Sequence, residues 1–412
     1  MDNMQRIPPG PASLLRPVPA ARVSYREFAR LRDAAQLVLE AARKRMQEPH
    51  PRKRPPTFTT SEIAAMVNKN RRKINYELNA NEALPKGELV TAARRVFTLK
   101  EARALVRALG ESPPRPAGRR GKIIAVTNFK GGSSKTTTAF HLAQALSLRH
   151  GRKVLLVDLD SQASATVLCD LLPEKEVRAE HTVLPFLDGE APDLRYAVQE
   201  TYWDGLSVIP ATFEVYSAEV NIPIETARDA SLDFWSLLYA GLEPLLEEFD
   251  VIVIDCPPSL SYLTLNAVYA ADGLVLPTPP ESLDFASSAM YWQLLVDLFD
   301  VVEARCRNNG VAFAKEYDFI NVLISKVNPR SPAAPVVRQW ILDAYRAYVL
   351  PIEVPLSDMT SAKASEFGSV YDLSRDDADP RSVARIRDAA NAIAREIDNQ
   401  MVQRWYQTEP AA

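Results

Sequence analysis

Residues Lys122 to Thr138 read Lys-Ile-Ile-Ala-Val-Thr-Asn-Phe-Lys-Gly-Gly-Ser-Ser-Lys-Thr-Thr-Thr, and they restrict the fold more than any other stretch of the 412-residue chain. Ile123 to Val126 form a continuous apolar run of the kind a parallel strand buried on both faces requires, and the run stops at polar Thr127 and Asn128. Gly131 and Gly132 then permit a tight turn that brings backbone N–H groups close to an anion. Lys135 opens a helix whose positive end points back into that turn. Strand, glycine loop and helix in this order make a phosphate cradle and predict an α/β fold with a doubly wound, mostly parallel sheet. The standard spacing G-x-x-x-x-G-K-[ST] is not met, because Phe129 and Ser134 stand where its glycines belong.

The net charge of −3 conceals an asymmetry: residues 1–120 carry 25 Lys+Arg against 11 Asp+Glu, or +14, leaving 24 against 41, or −17, for residues 121–412. A basic front suggests a polyanionic partner, most simply DNA. Residues 1–22 are proline-rich and aperiodic. Ser24 can cap a helix on which Phe28, Leu31, Ala35, Val38 and Ala42 alternate at spacings of three and four; dimerisation and intramolecular packing both suit such a seam. His50 to Pro56 is a basic, proline-punctuated linker. Ile63, Met66 and Val67 then form one apolar face, Asn68 to Asn70 turn the chain, and Arg71 to Leu78 offers a second helix with Ile74 and Leu78 inward. Lys69, Arg71, Arg72, Lys73 and Asn75 at the start of that helix are residue types that contact phosphates and base edges in a major groove. Arg94 to Leu105 gives a short strand running into a helix, an order that resembles a winged, MerR-like DNA-binding domain with Arg94 and Arg95 in the wing. Ser112 to Arg120 is a second linker, so the expected divisions are 1–50, 57–111 and 121–412.

Behind the cradle, Lys153 to Val157 is another buried strand, and it delivers Asp158-Leu159-Asp160-Ser161-Gln162 to the sheet edge where doubly wound folds place ligands. Val251 to Ile254 does the same for Asp255. Lys130 to Thr136, as a Lys-Gly-Gly-x-x-Lys-Thr loop, resembles the deviant Walker A motif of the ParA/MinD superfamily of ATPases, and Asn128 to Gln144 carries the strongest likeness. With its basic front, the chain after about residue 57 resembles the large ParA proteins of plasmid and secondary-chromosome partition systems, including the RepA type. That resemblance implies ATP or ADP held by Lys130, Gly131, Gly132, Ser133, Ser134, Lys135, Thr136 and Thr137. It implies catalytic roles for Lys130, which reaches across a dimer to the partner's nucleotide, for Lys135 on the phosphates, and for Asp160, which orients the attacking water. Thr136, Asp158 and Asp255 are the implied Mg²⁺ residues. Ser134 and Ser161 replace the glycine and proline commonest in these motifs, and a side chain at 134 restricts φ.

The resemblance further implies an ATP-bound homodimer on non-specific DNA, slow hydrolysis stimulated by a ParB-like centromere-binding protein, and repression of the chain's own operon through the front domain. Whether the DNA-bound form is a filament or separate dimers stays open. Lys326, Arg330, Arg338, Arg346 and Lys363 near the later loops are candidates for non-specific DNA contact. Cys169, Cys256 and Cys306 have no metal or redox spacing, and Cys256 reads as a small buried residue rather than an iron–sulfur ligand. No apolar run reaches about 18 residues and no signal-peptide core is present, so a cytoplasmic, nucleoid-associated protein without membrane contact is expected. The last helix, Arg381 to Trp405, puts Ile386, Ile393 and Ile397 inward and mixed charge outward, the pattern of a docked helix rather than a membrane-lying one. An ATP-regulated transcriptional repressor and a metabolic enzyme of the same fold are the competing classes; the first has no need of Asp160, the second none of a basic helix-turn-helix.

Overall fold

The computed structural model describes residues 24–46, 52–91, 94–173, 175–229, 232–356, 368–373 and 379–407. Helix α1 (Glu27–Met46) is a unit by itself. Ser24 precedes it, accepting a 3.4 Å bond from the Arg26 N–H, and Phe28, Leu31 and Val38 of the expected seam are exposed. The proline-rich lead at 1–22, His50 and Pro51 of the first linker, and Lys363 lie outside the described residues.

The second unit runs from Lys53 and opens with β1 (Thr57–Thr59), α2 (Thr60–Met66), α3 (Arg71–Ala80), β2 (Glu88–Thr91), β3 (Arg94–Thr98) and α4 (Leu99–Leu109). Local chemistry sets these boundaries. Thr59 and Glu62 form a reciprocal capping box on α2, as Thr98 and Glu101 do on α4. Asn68 takes the left-handed turn conformation at φ 52°, and the Asn70 side chain caps α3 by accepting from Lys73 N at 2.8 Å. Ile63, Ile74, Leu78, Phe97 and Leu105 are fully buried beneath an antiparallel sheet ordered β1-β3-β2. The two helices and the strand running into a closing helix follow the order read from the sequence, while β1 and β2, which flank that strand, carried no sequence signal.

The remainder comprises β4 (Lys122–Val126), α5 (Lys135–His150), β5 (Val154–Asp158), α6 (Ser164–Leu168), α7 (Leu184–Leu187), β6 (Gln199–Glu200), β7 (Leu206–Ile209), α8 (Ala218–Arg228) and α9 (Leu237–Leu242). There follow β8 (Val251–Asp255), α10 (Tyr262–Ala270), β9 (Gly273–Thr278), α11 (Ser282–Asn308), β10 (Phe319–Val327), α12 (Ala334–Tyr345), β11 (Val349–Pro355) and α13 (Pro380–Tyr406). Among the described residues the large sheet is ordered β11-β10-β9-β4-β8-β5-β7-β6, with every pairing parallel except β6 with β7. Ile124 and Val126 face the layer that contains α5 and α13, while Ile123 and Ala125 face the layer that contains α9, α10 and α11. A strand covered on both sides has no polar face, which is why β4 reads as unbroken aliphatic residues.

The front elements are not loosely tethered. Arg103 on α4 is buried, donates to the Ser147 carbonyl (3.1 Å) and the Arg152 carbonyl (3.0 Å), and pairs with Asp204. Gly205 makes room for it: φ there is +78°, and a Cβ would fall 1.8 Å from the Arg103 Cζ. The stretch 112–120, expected as a linker, is pinned because Arg115 donates to the carbonyls of Leu246, Glu247 and Phe249 and pairs with Asp250 at 3.3 Å. Helix α13 docks as expected, its buried Asp398 bonded to Arg152 at 2.7 and 3.1 Å. No helix among the described residues is long and apolar enough to cross a membrane.

Candidate functional site

Register places the three key strand ends side by side: Val126 of β4 is opposite Asp255 of β8, and Asp255 is opposite Asp158 of β5. Parallel strands in register deliver their carboxyl ends to one edge, so loops 127–134, 159–163 and 256–261 share a crevice. Gly132 and Ser134 both have φ 77°, which Gly132 tolerates freely and Ser134 adopts at a cost of roughly 1–3 kcal/mol. A non-glycine residue held in that conformation is the kind of local strain that accompanies ligand sites. Lys135 is buried at the first turn of α5, and its Nζ donates to the Lys130 carbonyl at 3.1 Å. Burial pulls its pKa down, while Asp255 opposes that pull.

The two strand-end aspartates differ in what they face. Asp158 Oδ2 accepts from the Thr166 N–H and hydroxyl, both at 2.8 Å, and Oδ1 accepts from Asp160 N at 3.1 Å. Asp158 thus holds the loop that carries Asp160. Asp255 is also fully buried, yet among the described residues neither of its oxygens has a hydrogen-bond partner of normal geometry. Burial and the adjacent Asp158 push its pKa well up, with the Thr136 hydroxyl and Lys135 pulling the other way. A buried carboxylate with two orphaned oxygens, close to a threonine hydroxyl, is a fitting donor set for a hard divalent cation. Asp160 is half-buried and near enough to raise Asp255 electrostatically. Cys256 next to it is inert, its thiol pushed up to about 12 by burial and by Asp255.

Beside the loop is a mostly apolar cavity of about 240 Å³, walled by Thr137, Thr138 and His141 of α5, Val354 to Leu356 at the end of β11, and Ile386, Ala390 and Ile393 of α13. Ser134 and Lys326 form its rim. Lys326, one of the DNA candidates, is half-buried at φ 52° and its Nζ donates to the Gly132 carbonyl, while Ser325 Oγ donates to the Ser133 carbonyl at 3.1 Å. The end of β10 therefore braces the glycine loop. Lys130 is ion-paired with Asp284 in the first turn of α11, a partner for which no sequence spacing gave a signal.

The basic candidates of the front divide. Arg71, Arg72 and Lys73 are exposed in the first turn of α3, with Lys73 also paired to Glu77 at 2.8 Å. Arg94 and Arg95 are on β3 in the wing. Lys69 is engaged, donating to the Leu109 carbonyl that ends α4. Arg330 is exposed in the turn after β10, Arg338 pairs with Glu353, and Arg346 has a left-handed φ of 46° just after α12.

The family model for an AAA domain matches residues 121–308. A "Putative replication protein A" of Sinorhizobium fredii is 30% identical over 288 residues, covering 69% of this chain and 69% of that protein. A solved structure titled "Partition Protein" superposes with a TM-score of 0.59 at 19% identity, over 91% of this chain and 99% of that one; at that identity it speaks for the fold. Cobyrinic acid a,c-diamide synthase from Mycobacterium smegmatis, solved with an ATP analogue and magnesium, superposes at 0.51 with 25% identity, over 67% and 95% of the two chains. The chain belongs to the ParA/MinD superfamily of P-loop ATPases.

Proposed function

We propose that the protein is a DNA-segregation ATPase that dimerises on ATP, binds DNA without sequence preference in that state, and reads an operator through residues 57–111. The observation that carries this reading is one compact unit holding both an ATPase crevice with the orphaned Asp255 carboxylate and a basic helix-turn-helix braced against α5 by Arg103. In this reading the backbone N–H groups of Gly131 to Thr137 and the Lys135 ammonium hold the polyphosphate, and the apolar cavity takes the base. Thr136 and Asp255 hold Mg²⁺, which when bound supplies charge neutralisation at the phosphates. Asp158 keeps the Asp160 loop in place, and Asp160 orients the water that displaces ADP from the terminal phosphate. Lys130 leaves Asp284 to meet the nucleotide of a second copy, and a ParB-like partner stimulates turnover. The exposed seam of α1 supports pairing of front units across the dimer.

Asp160→Ala tests the assignment. A water-positioning group acts on the barrier rather than on ground-state binding, so turnover should fall by roughly 10²–10⁴ while ATP affinity stays near wild type and residence on random DNA lengthens. ATP affinity, turnover with DNA and the ParB-like partner, and DNA residence are measured in one buffer. Turnover near wild type, or ATP binding that collapses with it, removes the role given to Asp160.

A further inference from the structure

An open groove of about 800 Å³ lies away from the glycine loop, between the segment 179–190 and the helical stretch formed by residues 213–217 and α8. Its floor is apolar and unusually exposed: Phe213 is 75% accessible, Tyr216 59% and Val220 50%, at helical spacings of three and four that put them on one face. A charged rim surrounds it. Glu180, Asp188, Glu190 and Glu214 all line the groove, and among the described lining residues there is no Lys or Arg. Arg178 is close outside and pairs with Glu180 at 3.5 Å, where both side chains are largely solvated. Aromatic side chains left this open beside carboxylates of one sign mark a recognition surface rather than a solvated helix.

The groove is wired to both catalytic loops. At one end Ala211 N donates to Thr166 Oγ1 at 2.8 Å, and Thr166 is the residue that holds Asp158 and through it the Asp160 loop. At the other, the Glu219 carboxylate accepts from Tyr262 N (3.0 Å) and Leu263 N (3.3 Å), anchoring the start of α10 just beyond the loop that follows Asp255. A shift of the whole stretch from Ala211 through Glu219 would therefore reach both loops.

We propose that this groove docks a basic amphipathic segment of a partner protein, with Leu or Phe side chains seated on Phe213, Tyr216 and Val220 and Lys or Arg side chains on the four carboxylates. Charge complementarity selects this occupant, since a segment that is apolar alone would leave Asp188, Glu190 and Glu214 without counter-charges from it and an acidic one would be repelled. Docking stands on the groove itself; an effect on ATP turnover also rests on the function proposed above.

The test uses the full chain and a synthetic amphipathic Leu/Arg peptide carrying a fluorophore, with a control peptide bearing Glu in place of Arg. Anisotropy titrations are run on wild type, on Phe213→Ser/Tyr216→Ser, and on Glu180→Gln/Asp188→Asn/Glu190→Gln, each confirmed folded by its thermal transition. The Leu/Arg peptide should bind wild type in a salt-sensitive way and lose at least about tenfold in affinity on each variant. It should alter ATP turnover in wild type and not in the variants. Equal binding to all three proteins, no binding to wild type, or equal binding of the Glu peptide overturns the proposal. So does a loss of self-association in the Phe213/Tyr216 variant by sedimentation without loss of peptide binding, which makes the groove a contact between copies. If the variants behave as expected while wild type binds no ATP, the docking surface stands and the ATPase reading fails.

Discussion

Replacing Asp284 with asparagine keeps the shape of the first turn of α11 and removes the charge that holds Lys130. Asp284 is 10% exposed and Lys130 35%, so the pair is shielded on one side and partly wet on the other. A hydrogen bond to a charged group contributes about 1.5–3 kcal/mol when dry, and the exposed ammonium brings this nearer to about 1 kcal/mol. If Lys130 must leave Asp284 to reach a second copy, each protomer sacrifices that amount, and a symmetric dimer does so twice. Removing about 2 kcal/mol from the association corresponds to a dimer roughly 30-fold tighter. Sedimentation velocity over a concentration series, with a slowly hydrolysed ATP analogue and Mg²⁺, measures the constant for wild type, Asp284→Asn, Lys130→Met and the double variant. Because Asp284 is argued to act only through Lys130, the double variant should match Lys130→Met. Asp284→Asn dimerising no better than wild type, or still shifting the constant when Lys130 is gone, refutes the latch.

Three further outcomes follow from other parts of the molecule. Burial alone would raise the Asp398 pKa, but bonds from His150 and Arg152 more than offset it and bring it from 3.8 to about 2. A lowered folded-state pKa adds stability above the unfolded value that is lost as pH falls from about 4 toward 2, here roughly 2 kcal/mol at neutral pH, so the urea-stability gap between wild type and Asp398→Asn should shrink by roughly half that amount by pH 3; a gap independent of pH counts against it. Lys326→Met should weaken ATP by about tenfold through loss of the brace on Gly132, with nucleotide-free DNA binding unchanged; filter binding showing the reverse pattern restores Lys326 to the DNA surface. Neutralising Arg71, Arg72 and Lys73 together should abolish operator recognition in footprinting and leave ATP-dependent binding to random DNA intact, and equal loss of both modes means the front is no independent reader.

What could be read from the residues in order was what is encoded locally. Ile123 to Val126, Val154 to Val157 and Val251 to Ile254 announce strands buried on both faces, because such strands have no polar side to interrupt the run. Gly131, Gly132 and Lys135 give the glycine loop, Asn68 to Asn70 the turn between α2 and α3, and the Ile386, Ile393 and Ile397 stripe the docked helix α13. Each rests on periodicity or on a residue's own backbone preference, and neither needs a distant partner.

The rest was decided by which segments the sheet brings together. Lys130 and Asp284 are 154 residues apart and meet because β9, which leads into α11, is hydrogen-bonded beside β4. Lys326 turns to Gly132 across 194 residues for a related reason, since β10 lies next to β9 and ends near the same loop. Asp158 and Asp255 read alike as strand-ending aspartates, and only the fold shows that one is bonded to Thr166 while the oxygens of the other, among the described residues, have no hydrogen-bond partner of normal geometry in a dry site. Arg103 and Arg115 count toward the +14 of the basic front, but a guanidinium becomes structural once carbonyls from another part of the chain surround it. The sequence determined which elements form and that a phosphate loop stands among them; strand order and register decided which charges are paired, which are buried alone, and therefore which are available for chemistry, because Coulombic and desolvation energies depend on distance and burial that no local pattern encodes.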